Sequence, residues 1–332
     1  MKTHLLPLFA VVLACAQSQA PIVPLEGLDP VALTQGQELD GSKQFTVTRG
    51  RFQYQFANAV NKAAFEKDPA RYEIQLEGTC ARMGPQAGGN PDFYAVSEGR
   101  IYVFGSEECR KRFVAAPAKY LESRQPGPPP LPVSSAAVAK ARALLARAVD
   151  AMGGAAAIDG LASYEEARDG NEEKRTFIFP DRLRIERTFG GRAHVTWDLD
   201  GNSGVIEAND TTRDLAHLAV LDLLRDARRG PLMILRARNQ PGFRAAALDE
   251  NTVEIEFDGD RDTLTLDPAT GQIAGVKFTG RGPGGEFGTV ARRYSEFSKQ
   301  GGLILPTQVS TFFNHDAEPF QTAKILSITL KP

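Results

Sequence analysis

Val253-Glu254-Ile255-Glu256-Phe257-Asp258-Gly259-Asp260-Arg261-Asp262-Thr263-Leu264-Thr265-Leu266 decides how the larger part of this chain folds. Apolar and polar residues alternate on both sides of Asp258-Gly259, the pattern of two half-buried strands joined by a tight turn. The acidic run from Asp258 to Asp262 also resembles the start of a calcium loop. Thr263 stands where that loop needs glycine, however, and no glutamate closes it at the twelfth position, so it reads as a turn. Outward from this hairpin the alternation recurs in Arg175–Phe179, Leu183–Arg187, Val290–Phe297, Leu303–Phe313 and Phe320–Leu330. Phe179-Pro180-Asp181, Asp200-Gly201-Asn202 and Thr270-Gly271 punctuate it. The result is a long antiparallel meander. Two helical stretches break the pattern. An alanine-rich helix, Ser135 to Met152, leads into the meander and is stopped by Gly153-Gly154. Within the meander, Leu215, Leu218, Leu221, Leu223 and Leu224 form a broad apolar face, continued by Pro231-Leu232-Met233-Ile234-Leu235.

Upstream, residues 122–134 carry five prolines and no packing pattern, a stiff extended linker. It separates an expected N-terminal domain, 21–121, from an expected C-terminal domain, 135–332. The N-terminal domain contains an internal repeat. Tyr54-Gln55-Phe56, Phe65 and Pro69-x-x-Tyr72 recur 48 residues on as Tyr102-Val103-Phe104, Phe113 and Pro117-x-x-Tyr120, with Phe45 matching Phe93. Each copy, about 45–72 and 93–120, predicts a strand–strand–helix unit with its helix capped by Asn58 or Ser106. The fold class is therefore α+β: a small duplicated domain followed by an antiparallel sheet with a helical insert.

Composition narrows the function. At 42% hydrophobic and 24% charged, with net charge −2, the 332 residues describe a globular protein and exclude a basic nucleic-acid binder. Residues 1–20 differ. The apolar run Leu5–Ala14 is too short to span a bilayer, which takes about 20 residues, and reads as the core of a signal peptide. Ala14-Cys15-Ala16 fits cleavage before Gln17, while Val12-Leu13-Ala14-Cys15 fits a lipobox that would lipidate Cys15. The expectation is export to the periplasm or attachment at the outer membrane.

Residues 27–83 resemble the YHS domain, through Gly27-Leu28-Asp29-Pro30-Val31-Ala32, Arg51-Phe52-Gln53-Tyr54-Gln55-Phe56, Asp68-Pro69-Ala70-Arg71-Tyr72 and Gly78-Thr79-Cys80-Ala81. Ile101 to Cys109 resembles the related TRASH signature. That resemblance implies soft-metal handling through Cys-x3-Cys, and here Gly105 replaces the first cysteine. Residues 136–331 resemble the LolA-like lipoprotein carriers, through Ala151-Met152-Gly153-Gly154, Phe179 to Arg184, Tyr294-Ser295-Glu296-Phe297 and Gly302 to Pro306. That resemblance implies a curved half-barrel whose concave apolar face is covered by helices and receives acyl chains.

The candidate residues follow. Cys80 and Cys109 are a disulfide pair in an oxidising compartment, ligands of copper or zinc with Met83 as the soft addition, or two free or merely buried thiols. Cys109 falls at the third position of its helix, where the positive helix end favours a thiolate. Leu215, Leu218, Leu221, Leu224, Leu232 and Leu235 are expected to lid a cavity for a hydrophobic or acyl ligand. Arg225, Arg228, Arg229, Arg236 and Arg238 form either a solvated face or a patch for an anionic membrane surface. Glu165-Glu166 and Glu172-Glu173 flank a turn and read as solvated. His194, His217 and His315 are scattered singly, and Gly280 to Gly285 is a hairpin loop because Pro283 interrupts it before another strand. Without a nucleophile elbow or His-Glu-x-x-His, the reading is a non-enzymatic envelope binding protein with no certain cofactor. The alternatives are soft-metal sensing, or a scaffold contacting an envelope partner protein.

Overall fold

The computed structural model describes residues 20–127, 129–131 and 134–332. The expected leader up to residue 19, including Cys15, lies outside the described residues. Among the described residues, no helix is long and apolar enough to cross a membrane. The chain forms two compact units, one ending at Glu73 and the other spanning Ile74–Pro332.

In the first unit, α1 (Pro30–Thr34) is capped by Asp29. This fully buried carboxylate accepts hydrogen bonds from the N–H groups of Val31, Ala32 and Ala57 and from the Asn61 amide. The hairpin β1 (Ser42–Arg49) and β2 (Phe52–Phe56) then leads into α2 (Ala59–Lys67), capped by Asn58, and α3 (Pro69–Tyr72). Phe65 of α2 packs on Tyr54 and Phe56, with ring centroids 4.9 and 5.1 Å away.

The second repeat opens the second unit, with β3 (Thr79–Cys80), β4 (Gly84–Gly88), β5 (Asn90–Ser97), β6 (Arg100–Phe104) and α4 (Glu107–Ala115). Its strands form a four-stranded sheet, and Ser106 caps α4. Phe113 repeats the role of Phe65, 5.2 and 5.0 Å from Tyr102 and Phe104. The duplication also begins further upstream than the aromatic pattern suggested. Leu25-Glu26-Gly27 and Leu76-Glu77-Gly78 are the same tripeptide, and in both the Leu and Glu adopt positive φ between 53° and 61°.

The rest of the second unit comprises α5 (Ser135–Ala151), α6 (Ala155–Asp159), β7 (Ser163–Arg168), β8 (Lys174–Ile178), β9 (Arg182–Phe189), β10 (Ala193–Asp200), β11 (Ser203–Ala208) and β12 (Thr211–Asp214). It continues through α7 (His217–Arg228), α8 (Pro231–Ala237), β13 (Arg244–Ala247), β14 (Thr252–Phe257), β15 (Asp260–Leu266), β16 (Ile273–Arg281), β17 (Phe287–Gln300), β18 (Leu303–Phe313) and β19 (Gln321–Lys331). Strands β7 to β19 make one antiparallel sheet in the order β12-β11-β10-β9-β8-β7-β19-β18-β17-β16-β15-β14-β13. Two meanders are thus zipped together by the pairing of β7, the first strand, with β19, the last. The sheet is open. Helices α7 and α8 form the link between its edge strands β12 and β13. At about 4.8 Å per strand a flat sheet of this size would be about 60 Å wide. Yet residues from β9, β10, β14, β16 and β18 share one apolar cluster with α5, α7 and α8, so the sheet bends around the helices. Gly153 lets α5 meet the sheet: its φ is +118°, and a Cβ there would lie 2.3 Å from the Gly302 carbonyl oxygen. The Asp258-Gly259 turn and the Gly282–Glu286 loop both close hairpins, as expected.

The division between units falls inside the expected N-terminal domain and not at the proline-rich stretch. Side-chain hydrogen bonds across the expected boundary explain this. Arg281 of β16 donates to the carbonyls of Arg82 and Tyr120, and Gln86 of β4 bonds Asp222 of α7 at 2.7 Å. The second repeat is therefore packed with the sheet. Within the proline-rich stretch, Leu131 is buried and the Pro129 carbonyl accepts from Arg261.

Candidate functional site

Residues two apart on a strand point the same way. Tyr164, Glu166 and Arg168 of β7, Arg175 and Phe177 of β8, and Arg292 and Tyr294 of β17 therefore face the helices, where they line a cavity of about 300 Å³. Asp226, Leu232 and Met233 of the insert roof it, and Leu305, Val309 and Ile325 complete the apolar wall. Gln86 of the second repeat reaches its rim.

The hollow is not purely apolar, contrary to the expectation. Glu166 and Glu173, read as solvated from sequence, are only 5% and 7% exposed. Glu166 accepts from Tyr164 Oη and from Arg168 Nε at 2.8 Å. Glu173 pairs with Arg175, Arg187 and Arg168. Asp226 on α7 pairs with Arg175 at 3.0 Å and with Arg292. Burial works against the charge on Asp226, but Arg292 and Arg175 outweigh it and hold the carboxyl far below the usual carboxylate range. Burial likewise opposes ionisation of Glu173, and Arg175, Arg187 and Arg168 together lower it. Burial pushes the Tyr294 hydroxyl up to about 12.

Two carboxyls depressed on folding stabilise the protein above their unfolded pKa, near 4, and lose that contribution as pH falls through the folded values. Thermal stability is therefore expected to fall as pH drops below about 4. A melting temperature that holds constant from pH 5 to pH 2 contradicts this.

Of the expected lid leucines, Leu232 alone lines the cavity. Leu224 and Leu235 sit in the core, Leu215 packs partly against it, and Leu218 and Leu221 are half-buried. The arginines of the insert are not a free cationic patch. Arg225 pairs with Asp260, Arg228 with Asp258, Arg229 with Asp262 and Arg238 with Asp159, while Arg236 lies over the Phe179 ring at 3.6 Å. Their partners come from the β14–β15 hairpin, α6 and the β8–β9 turn, which the local sequence around the helix does not contain. The signal for the charged wall was present as Tyr164-x-Glu166-x-Arg168, an inward-facing alternation running through a buried tyrosine.

A second cluster sits in the second repeat. Cys80 and Cys109 are buried free thiols and not a disulfide. A Cβ on Gly105 would lie 4.0 Å from Cys80 Sγ, so the thiol from β3 occupies the neighbourhood of the missing Cys-x3-Cys position. The Cys109 N–H donates to Ser106 Oγ at 3.3 Å, and Arg82 donates to Cys109 Sγ at 3.6 Å. Burial opposes the thiolate, but hydrogen bonds from Ser106, Arg82 and Cys80 lower the Cys109 pKa. Met83 is 43% exposed, and its sulfur accepts from Arg82 at 3.0 Å. No group of three His, Cys, Asp or Glu residues suited to a metal occurs among the described residues.

No family model and no curated protein matches the chain, so the YHS likeness of the N-terminal region finds no support there. Solved structures resembling the C-terminal part include a LolA superfamily protein from Nitrosomonas europaea. It is 11% identical over 58% of this chain and 94% of its own, with a TM-score of 0.35. A DUF1329 family protein from Desulfovibrio piger is 11% identical over 57% and 93%, with a TM-score of 0.30. The Mycobacterium tuberculosis lipoprotein LppX is 14% identical over 57% and 94%, with a TM-score of 0.24. Likenesses this distant fall below the level that demonstrates a shared fold.

Proposed function

We propose that the sheet domain is a non-enzymatic binding module of the cell envelope that receives an acyl-type ligand between the sheet and the α7–α8 insert. The cavity of about 300 Å³ carries this reading, because an aliphatic and aromatic wall that can take a chain faces a wall of arginines and carboxylates that can take a polar head. Apolar burial at about 25 cal/mol per Å² would drive chain insertion. The carboxylates on the polar wall favour binding over catalysis: Glu173 and Asp226 are held ionised by arginines and are weak bases near neutral pH. Native mass spectrometry of the purified protein with decanoate and decanol is expected to give one bound chain per molecule. Displacement of a fluorescent fatty-acid probe should follow. A protein that neither carries nor displaces any such ligand refutes the reading.

The two free thiols favour a second reading, capture of a soft metal. Two thiolates suit two-coordinate Cu(I) better than tetrahedral Zn(II), which takes four ligands. Thiol titration after unfolding without reductant should find two free thiols, and protein loaded with Cu(I) before unfolding should show them protected. Two thiols that stay fully reactive in its presence exclude it.

A further inference from the structure

We propose that the cavity selects a ligand with an anionic head group, seated against Arg187 and Arg168. This rests on the binding reading above and adds the chemistry of the head. Four guanidinium groups, Arg168, Arg175, Arg187 and Arg292, line the cavity against three carboxylates, Glu166, Glu173 and Asp226, so the wall carries one formal positive charge in excess.

The pairing locates that excess. Asp226 is shared by Arg175 and Arg292, the two most enclosed of the four, with side chains 6% and 18% exposed. Glu166 is held by Arg168 and by the Tyr164 hydroxyl. Glu173 alone then faces Arg187 while also serving Arg175 and Arg168. Arg187 and Arg168, at 21% and 20% exposed, are about as open as Arg292 at 18%, but unlike it they have no share of Asp226. A guanidinium has five N–H donors in a fork matched to carboxylate or phosphate oxygens. Glu173, with its two oxygens, is divided among three of these forks. A wall with one guanidinium more than its carboxylates leaves Arg187 and Arg168 sharing Glu173, and an anionic head would offset that excess while its chain lies along Phe177, Leu232, Leu305 and Ile325. An ammonium head would meet the excess charge with repulsion.

The test measures affinity for ten-carbon chains differing only in the head: decanoate, decyl phosphate, decanol and decyltrimethylammonium. Charge-assisted hydrogen bonds predict that decanoate or decyl phosphate binds about 10- to 100-fold more tightly than decanol, with the ammonium weakest. Comparing the two anions distinguishes a carboxylate-bearing ligand from a phosphate-bearing one. In Arg187→Gln the ratio of anion to decanol affinity should fall towards one, and Arg187→Lys should restore part of it. Decanol or the ammonium binding as tightly as the anions overturns the head-group inference and leaves the binding reading intact. Failure of all four probes overturns the binding reading itself. A ratio unchanged in Arg187→Gln removes Arg187 from the head-group site. Should that variant fail to fold, loss of anion preference at high salt in the unmodified protein gives the same discrimination.

Discussion

Asp226→Asn is expected to destabilise the second compact unit by about 3–5 kcal/mol, the usual cost of removing one partner from a buried ion pair. The amide keeps the shape of the side chain but removes its charge, leaving Arg175 and Arg292 to face each other without their shared counter-ion. Arg175 is 6% exposed, so solvent compensates little for the anion it loses, while Arg292 keeps some access to the cavity. For a unit of this size the melting temperature should fall by about 10 °C. The loss should be greatest near neutral pH and shrink below about pH 4, where the Asp226 carboxyl is protonated in the unfolded chain while the folded one is held ionised by Arg292 and Arg175. Because Asp226 joins α7 to β8 and β17, amide exchange in α7 should speed up more than in β14 or β15. A melting temperature within a degree or two of the parent would mean that the cluster contributes little net energy.

Phe65→Ala carries the second large effect, directed at the first compact unit alone. Phe65 is fully buried and holds Tyr54 and Phe56 against α2, so truncation should cost about 3–5 kcal/mol. The first unit, ending at Glu73, is small and buries too little surface to absorb that loss. Limited proteolysis of the full-length variant should cleave within the region up to Glu73 while leaving residues 74–332 resistant. Phe113→Ala, its counterpart in the repeat, should instead expose the second unit, where Phe113 packs with Tyr102, Phe104 and Tyr120. If both variants melt in one identical transition, the division at Glu73 does not describe the folding units.

The difference between the two repeats illustrates how much of the molecule was legible. Both copies were visible as recurring aromatics, and both helices were placed by their caps, because capping and strand alternation depend on neighbours in sequence. That the second copy packs with the sheet domain was not visible. The contacts responsible, Arg281 to Arg82 and Tyr120 and Gln86 to Asp222, join residues more than 130 positions apart.

Local order along the chain fixed the antiparallel meander, the helical insert and the turns, since each is written in spacings of two to four residues or in glycines where the backbone must reverse, and the duplication shows as the same local pattern repeated 48 residues on. Tertiary structure alone decided that the hollow under the insert carries arginines and carboxylates on one wall. Glu173 reads as solvated in sequence and nothing there marks Asp226; only the bending of the sheet brings Arg175, 51 positions before Asp226, and Arg292, 66 positions after it, within reach of the same carboxylate. Electrostatic pairing over such separations has no local signature, because it depends on which strands neighbour one another and on how far the sheet excludes water.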